Sequence, residues 1–335
     1  MKSIFKVFFT ALLIGALAMQ ALNTLTVFAK TASQTKFRYL VCGLDDAAEN
    51  TDVLIMLSYD AGSNEAAVLQ IPRDTYCRYD GYQNKINLLY SHFRRTENSS
   101  KLAMKRTADI IGEIFGVSFD GYVAVTTEAF RDAVDSIGGV YVNLPTDFVY
   151  ESKNTEQSFI LPKGENLLDG KKAEVFVRHR KSYAMGDLGR IDAQKIFFGG
   201  LYTTFTERIG FDKLIRLAFS LDKGVVTDFS FVEAATAFIK NFQKLKKTSI
   251  FYVTVPGKPI LHHSGTWYYV LNKKACEGLS AKRLFRSVTF DPNKRCTNFA
   301  AEIINEIYYD GNITYREYRQ GDIVDINIAR KKKGR

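Results

Sequence analysis

The sequence predicts an α/β fold in which a central mixed β-sheet is flanked by helices on both sides. Three observations point there. Strand-like and helix-like segments alternate along most of the 335 residues, the pattern of a sheet layered with helices. The first three strands follow one another closely, with a tight turn between the second and third, so the sheet opens antiparallel. Hydrophobic residues are 46% of the chain and aromatics 13%, enough for a large core and too many for wholesale disorder.

The elements read as follows. "FRYLVCGLDD" is a buried strand ending in acidic residues, "DVLIMLSYD" a second strand, "AGSN" a turn, and "EAAVLQIPRD" a third strand ending at Pro72. "SKLAMKRTADIIGEIFG" is a helix with Ile110, Ile111, Ile114 and Phe115 on one face, closed by Gly116. "DGYVAVT" is a strand. "TEAFRDAVDSIGG" is a helix that turns Phe130, Val134 and Ile137 inward and ends at Gly138. "VYVNLP" is a strand, "LDGKKAEVFVRHR" a helix, and residues 190–209 a helix carrying Gly199 and Gly200 inside it. "SFVEAATAFIKNFQKL" opens with a capping box, Ser230 to Glu233. "TSIFYVTVP" and "TWYYVL" are late strands. From about residue 290 the chain reads as an appended helix and hairpin ending in "RKKKGR".

Charge and cysteines bound the function. The net charge of +10 favours a polyanionic or membrane-surface partner. Nucleic acid is excluded as the expectation: there is no helix-turn-helix signal, zinc spacing or RNP motif, and the arginines form no stripe. The N-terminus carries Lys2 and Lys6 before a mostly apolar run from Val7 to Ala29, which keeps the lysines inside and places the rest outside. Length favours a membrane anchor, while Val27-Phe28-Ala29 is a passable cleavage site for a signal peptide. Four cysteines in an exported chain allow three pairings. The expected bridge is Cys276–Cys296, with Cys42 free or paired with Cys77. No Cys/His spacing suits zinc, and the adjacent His262 and His263 do not either.

Two constellations could carry chemistry. Asp45 ends the first strand and Asp52 begins the second, so two carboxylates at neighbouring strand ends could share a divalent cation such as Mg²⁺; acidic residues there also serve as turn formers. Arg73, after the third strand, would point to the same end of the sheet, or pair with Asp74 on the surface. Arg178, Arg180 and Arg190 crowd together, and clustered guanidinium groups repel one another unless an anion sits among them. Arginine forks suit phosphate oxygens, and a helix N-terminus adds its own attraction; a solvated basic loop would have the same spacing. Two carboxylates and four arginines are what phosphoryl transfer asks for.

The series "YLVCGLDD…TDVLIMLSYD…AAVLQIPRDTY…GYQNKINLLY…VDSIGGVYVNLP…LLDGKKAEVFVRHRKS…GDLGR…Q" resembles the LytR–CpsA–Psr family from about Phe37 to about Phe285. The resemblance implies an α-β-α catalytic domain over residues 37–290, after an N-terminal anchor or signal segment (1–30) and a linker (31–36), and before a C-terminal extension (291–335). It implies a membrane-anchored, extracytoplasmic, Mg²⁺-dependent phosphotransferase. Such enzymes move a glycopolymer, such as wall teichoic acid or capsular polysaccharide, from an undecaprenyl-pyrophosphate carrier to peptidoglycan. It further implies that Asp45 and Asp52 hold the metal and that Asp52 also orients or deprotonates the acceptor. Arg73, Arg178 and Arg180 would grip the diphosphate, Arg73 and Arg180 with a catalytic part. Asp187, Arg190 and Gln194 would meet the head group, and Lys85 and Asn87 would lie near the site. Two positions depart from the family pattern: Asn50 and Ala193 stand where arginines are usual. With the resemblance, the apolar helices at 101–115 and 190–209 become the expected lining of a polyprenyl slot, with Gly199 and Gly200 leaving room. The rivals are a non-catalytic binder of lipid-linked precursors and a hydrolase of the pyrophosphate.

Overall fold

A computed structural model describes residues 35–79, 82–152, 157–210, 213, 217, 224–228, 243–262, 264–285, 296–297, 313–326 and 328. The expected anchor, most of the linker, the Ser230–Glu233 capping box, His263 and the basic tail lie outside the described residues. Among the described residues no helix is long and apolar enough to cross a membrane.

The chain runs through β1 (Lys36–Leu44), β2 (Thr51–Asp60), β3 (Glu65–Ile71), β4 (Tyr76–Tyr79) and β5 (Tyr82–Lys85) into α1 (Leu89–Thr96) and α2 (Ser100–Phe115). Next come β6 (Gly121–Val125), α3 (Thr127–Ser136), β7 (Val140–Leu144), β8 (Phe148–Tyr150), β9 (Phe159–Leu161) and β10 (Gly164–Leu168). Then follow α4 (Gly170–Arg178), α5 (Asp187–Thr203), β11 (Val225–Thr227), β12 (Ser249–Thr254), β13 (Gly257–Leu261), β14 (Trp267–Leu271), α6 (Lys273–Arg283), β15 (Cys296–Thr297) and β16 (Glu317–Arg319). Ser99, Thr126 and Asp169 cap α2, α3 and α4 by accepting a backbone N–H with their side chains. Gly116 closes α2 at φ +67°, a left-handed conformation that favours glycine.

Seven strands form the central sheet in the order β11-β6-β1-β2-β3-β12-β16. The opening β1–β2–β3 meander is antiparallel, as predicted. β6 lies parallel to β1, β12 lies parallel to β3, and the edge strands β11 and β16 run antiparallel to their neighbours. The sheet is therefore mixed. β1, β3, β6 and β12 all point one way, so their carboxyl ends share one edge, where ligands of open α/β sheets gather. β7 reads as a strand of this sheet but pairs with β10 in a separate ribbon. Conversely β16, from the segment expected to be an appendage, pairs with β12 in the central sheet.

Alternation along β1 divides the core. Phe37, Tyr39 and Val41 face one cluster, which α3, α4 and α5 complete. Leu40, Cys42 and Leu44 face the other, which α1, α2 and α6 complete. Helices thus cover both faces.

The expected Cys276–Cys296 bridge is not formed, and Cys42 is a free thiol, one of its two expected states. Cys42, Cys77 and Cys276 are buried free thiols. The Cys276 thiol donates to the Pro256 carbonyl at 3.3 Å, inside the core, whereas Cys296 lies in a strand beside Tyr79. Burial raises the pKa of all three thiols, to about 12 for Cys77.

Candidate active site

The site forms where the carboxyl ends of β1 and β3 meet the start of β2. The loop from Asp45 to Asn50 folds around the Asp45 carboxylate. That carboxylate accepts from the backbone N–H groups of Glu49 (2.9 Å) and Asn50 (3.2 Å) and from the Asn50 side-chain amide (2.7 Å). Asn50, a departure from the family pattern, is therefore what orients Asp45. Next along β2, the Asp52 carboxylate accepts from Arg73 Nη1 at 2.5 Å, and its other oxygen is 3.9 Å from Arg178 Nη2.

The arginines converge, each from its own element. Arg73 follows β3, and its Nε lies 3.7 Å from Asp187 Oδ1. Its carboxylate is Asp52, not the adjacent Asp74, which instead pairs with Lys85 at 2.9 Å. Burial pulls the Arg73 pKa down, and the surrounding carboxylates outweigh it and leave it raised. Arg178 closes α4 and pairs with Asp46 at 2.6 Å and Glu174 at 3.1 Å. Burial again works against its charge, and these acids prevail. Arg190, only 2% exposed, pairs with Asp187 at 2.9 Å on the first turns of α5. There burial dominates and its pKa is lowered, with Arg73 and Arg180 adding to the repulsion. Arg180 stands apart: it is exposed, with no ion pair among the described residues.

The protein's own carboxylates thus neutralise three of the four clustered arginines. Sequence reasoning missed two of these acids. Glu174 sits four residues before Arg178, the spacing of helical ion pairs, and Asp46 is the second acid of "GLDD". Asp46 carries little burial penalty, since its side chain is 73% exposed, and the Arg178 hydrogen bond holds its pKa below the usual carboxylate value.

Several buried polar atoms here still have no hydrogen-bond partner: Arg73 Nε, Arg190 Nε, Asp187 Oδ1, Asn87 Oδ1 and Gln70 Oε1. Unsatisfied buried polar atoms are costly in a folded protein, and here the Asp187 carboxylate already lies beside both guanidinium groups without completing their hydrogen bonds. Asn87 is tied in by its backbone, which donates to the Arg73 carbonyl and accepts from the Thr51 hydroxyl. Gln194 is differently placed from a ligand contact. Its oxygen accepts from Gln70 at 3.0 Å and its amide donates to the Val177 carbonyl at 2.9 Å, so both ends are engaged. Lys195 is buried against Asp192 and Thr254, and Ala193 is fully buried.

For a cation, the donors are oxygens only, from Asp45 and Asp52. No cluster of three or more His, Cys, Asp or Glu able to hold a metal occurs among the described residues. Carboxylate oxygens are the donor type Mg²⁺ takes, and here both groups are engaged by the protein, Asp45 by Glu49 and Asn50 and Asp52 by Arg73.

The expected polyprenyl slot is corrected by the layering. Helices α2 and α5 pack on opposite faces of the sheet and cannot line one channel. Gly199 and Gly200 serve close packing instead: a Cβ on either would strike Ile323 or the Tyr141 carbonyl. A narrow apolar pocket, of about 70 Å³, does exist between the sheet and helices α3, α4 and α5. Val41, Ile55, Val125, Phe130, Phe197 and Phe198 line it, and Asp52 and Arg178 border it.

This geometry can be set beside known proteins. The LytR_cpsA_psr family model matches residues 17–283. The chain belongs to the LytR–CpsA–Psr family. It is 27% identical over 244 residues to the polyisoprenyl-teichoic acid–peptidoglycan teichoic acid transferase TagV of Bacillus subtilis, covering 70% of this chain and 60% of TagV. It is 28% identical over 240 residues to the corresponding TagU of Oceanobacillus iheyensis, covering 70% of each. The crystal structure of B. subtilis TagV superposes with a TM-score of 0.62 at 25% identity, over 76% of this chain and 98% of that one. The mixed sheet with helices on both faces is the fold of this LytR–CpsA–Psr domain.

Proposed function

We propose that this LytR–CpsA–Psr protein is an extracytoplasmic phosphotransferase. It would move a glycopolymer from an undecaprenyl-pyrophosphate carrier to peptidoglycan and leave a phosphodiester link. One observation carries the reading: Asp52 and Arg178 border an apolar pocket and Arg73 pairs with Asp52, so a diphosphate could be held with the start of its lipid tail in that pocket. TagV and TagU, by their names, transfer teichoic acid from a polyisoprenyl carrier to peptidoglycan. The Lys2 and Lys6 charges before the apolar run support membrane anchoring with the domain outside.

In this mechanism Arg73, Arg178 and Arg180 bind the diphosphate, and Arg190 holds Asp187 in position. Arginines aimed at developing phosphate charge stabilise the transition state. Asp52 orients the acceptor hydroxyl and takes its proton. The acceptor oxygen bonds to the glycan-linked phosphorus, the bond from that phosphorus to the bridging oxygen breaks, and undecaprenyl phosphate leaves with the electron pair. Asp45 and Asp52 would hold Mg²⁺, which supplies charge neutralisation on the phosphate oxygens.

The test incubates purified protein with a lipid-linked pyrophosphate oligosaccharide, Mg²⁺ and peptidoglycan fragments. Joined product supports the reading. Bare hydrolysis, or a complex that never reacts, overturns it.

A further inference from the structure

A second cavity, of about 540 Å³, lies at the same edge of the sheet. One wall is the loop that carries Asp45, through Ala47, Ala48 and Glu49. The opposing wall comes from α1, through Ser91, Arg94 and Arg95. Helix α1 packs on the face of the sheet opposite to α3, α4 and α5. Leu44 and Thr126 line both this cavity and the apolar pocket. The two spaces therefore stand back to back at the ends of β1 and β6, one apolar and one rich in polar side chains.

Arg94 and Arg95 are exposed and have no ion pair among the described residues, although Arg106 nearby is paired with Glu97. Among the described lining residues Glu49 alone is acidic. Two unneutralised guanidinium groups at the rim of a large cavity suit a ligand that carries carboxylates, which arginine forks bind bidentately. The volume lies within the range of small-ligand sites and suits more than a single sugar ring.

We propose that this cavity receives the acceptor, a peptidoglycan glycan strand, with Arg94 and Arg95 on the carboxylates of its stem peptides. The inference rests on the phosphotransferase reading and adds a direction to it. Phosphoryl transfer places the attacking and leaving oxygens roughly in line. If the leaving polyprenyl phosphate lies on the side of the apolar pocket, the acceptor strand approaches from the other side, along this cavity, and its hydroxyl reaches Asp52 past Leu44 and Thr126, which line both spaces. Ser100 then offers a hydroxyl to the sugars, while the Ser91 hydroxyl, which donates to the Leu88 carbonyl, can only accept.

The test is calorimetric titration with two probes, a soluble disaccharide-peptide fragment of peptidoglycan and a short-chain polyprenyl pyrophosphate. The variant is Arg94→Ala/Arg95→Ala, and its melting temperature should match wild type because both side chains are exposed. The fragment should bind the variant at least tenfold more weakly, while the pyrophosphate lipid binds as before. A fragment with amidated carboxylates should bind wild type as weakly as the intact fragment binds the variant. Equal fragment affinity in both proteins, or no fragment binding to wild type, would overturn the proposal. So would a variant that loses a glycan-bearing donor instead, which would give the cavity to the donor's own polymer. Failure of wild type to bind the pyrophosphate lipid sinks the phosphotransferase reading separately, since the fragment arm needs no donor.

Discussion

Arg73 Nη1 lies 2.5 Å from Asp52 Oδ1, and this one contact links the end of β3 to the start of β2. It ties a diphosphate-binding cation to the proposed catalytic carboxylate. Removing each partner should therefore have a different effect. Asp52→Asn should lose Mg²⁺-dependent turnover and still bind a polyprenyl pyrophosphate, because the arginines remain. Turnover and equilibrium binding measured on the same preparation check this; a variant that loses both together speaks against the division of roles.

The two unlike arginines should separate stability from binding. Arg190 is buried and paired with Asp187, so Arg190→Ala leaves a carboxylate short of its partner and should cost about 3 kcal/mol. Arg180 is exposed and unpaired among the described residues, so Arg180→Ala should melt like wild type and bind the lipid pyrophosphate about tenfold more weakly. Thermal melts and titration of the two variants decide it.

Asp46 occupies Arg178 at 2.6 Å and must yield it to an incoming diphosphate. Asp46→Asn should therefore tighten lipid-pyrophosphate binding several-fold. The same contact has a defined pH dependence. Because the folded pKa of Asp46 is depressed, its stabilising effect is complete above the ordinary carboxylate pKa and is lost as pH falls through the lower folded value. A titration in which Asp46→Asn binds more weakly than wild type would make Asp46 a substrate-side group instead.

Gly200 packs against the Tyr141 carbonyl with no room for a Cβ. Gly200→Ala should destabilise the fold by about 1–3 kcal/mol through overpacking and leave lipid affinity unchanged in the folded fraction. Denaturant unfolding checks the first effect. A stable variant with altered lipid binding would return this glycine to a lipid channel.

Much of the fold was legible because period and turn chemistry are local. The β1–β3 meander, the helices at 100–115 and 127–136 and the strand at 121–125 follow from apolar spacing and caps. What was lost is long-range. β7 has the pattern of a sheet strand, and nothing in "VYVNLP" says that it pairs with β10. β16 is three residues long, too short to show a period, yet it closes the sheet edge. The site was legible as a set of residue types, not as a wiring diagram. Arg73 could not be assigned to Asp52 over Asp74 from sequence, because the choice depends on β2 lying beside β3. Gln194 looked free only because Gln70, which engages its oxygen, is far away in the chain. The polyprenyl slot was misplaced for the same reason: two apolar helices carry no label for the face of the sheet they cover.

The most direct test of the central claim is equilibrium binding of a polyprenyl pyrophosphate to wild type and to Arg178→Ala/Arg180→Ala, with the matching monophosphate as comparison. Each charge-assisted contact is worth roughly 1.5–3 kcal/mol. A site built for the diphosphate predicts that the double variant loses at least a hundredfold in pyrophosphate affinity and much less for the monophosphate. Unchanged pyrophosphate affinity, with a melting temperature many degrees lower, would show that the arginines serve the fold through Asp46 and Glu174 and not a ligand.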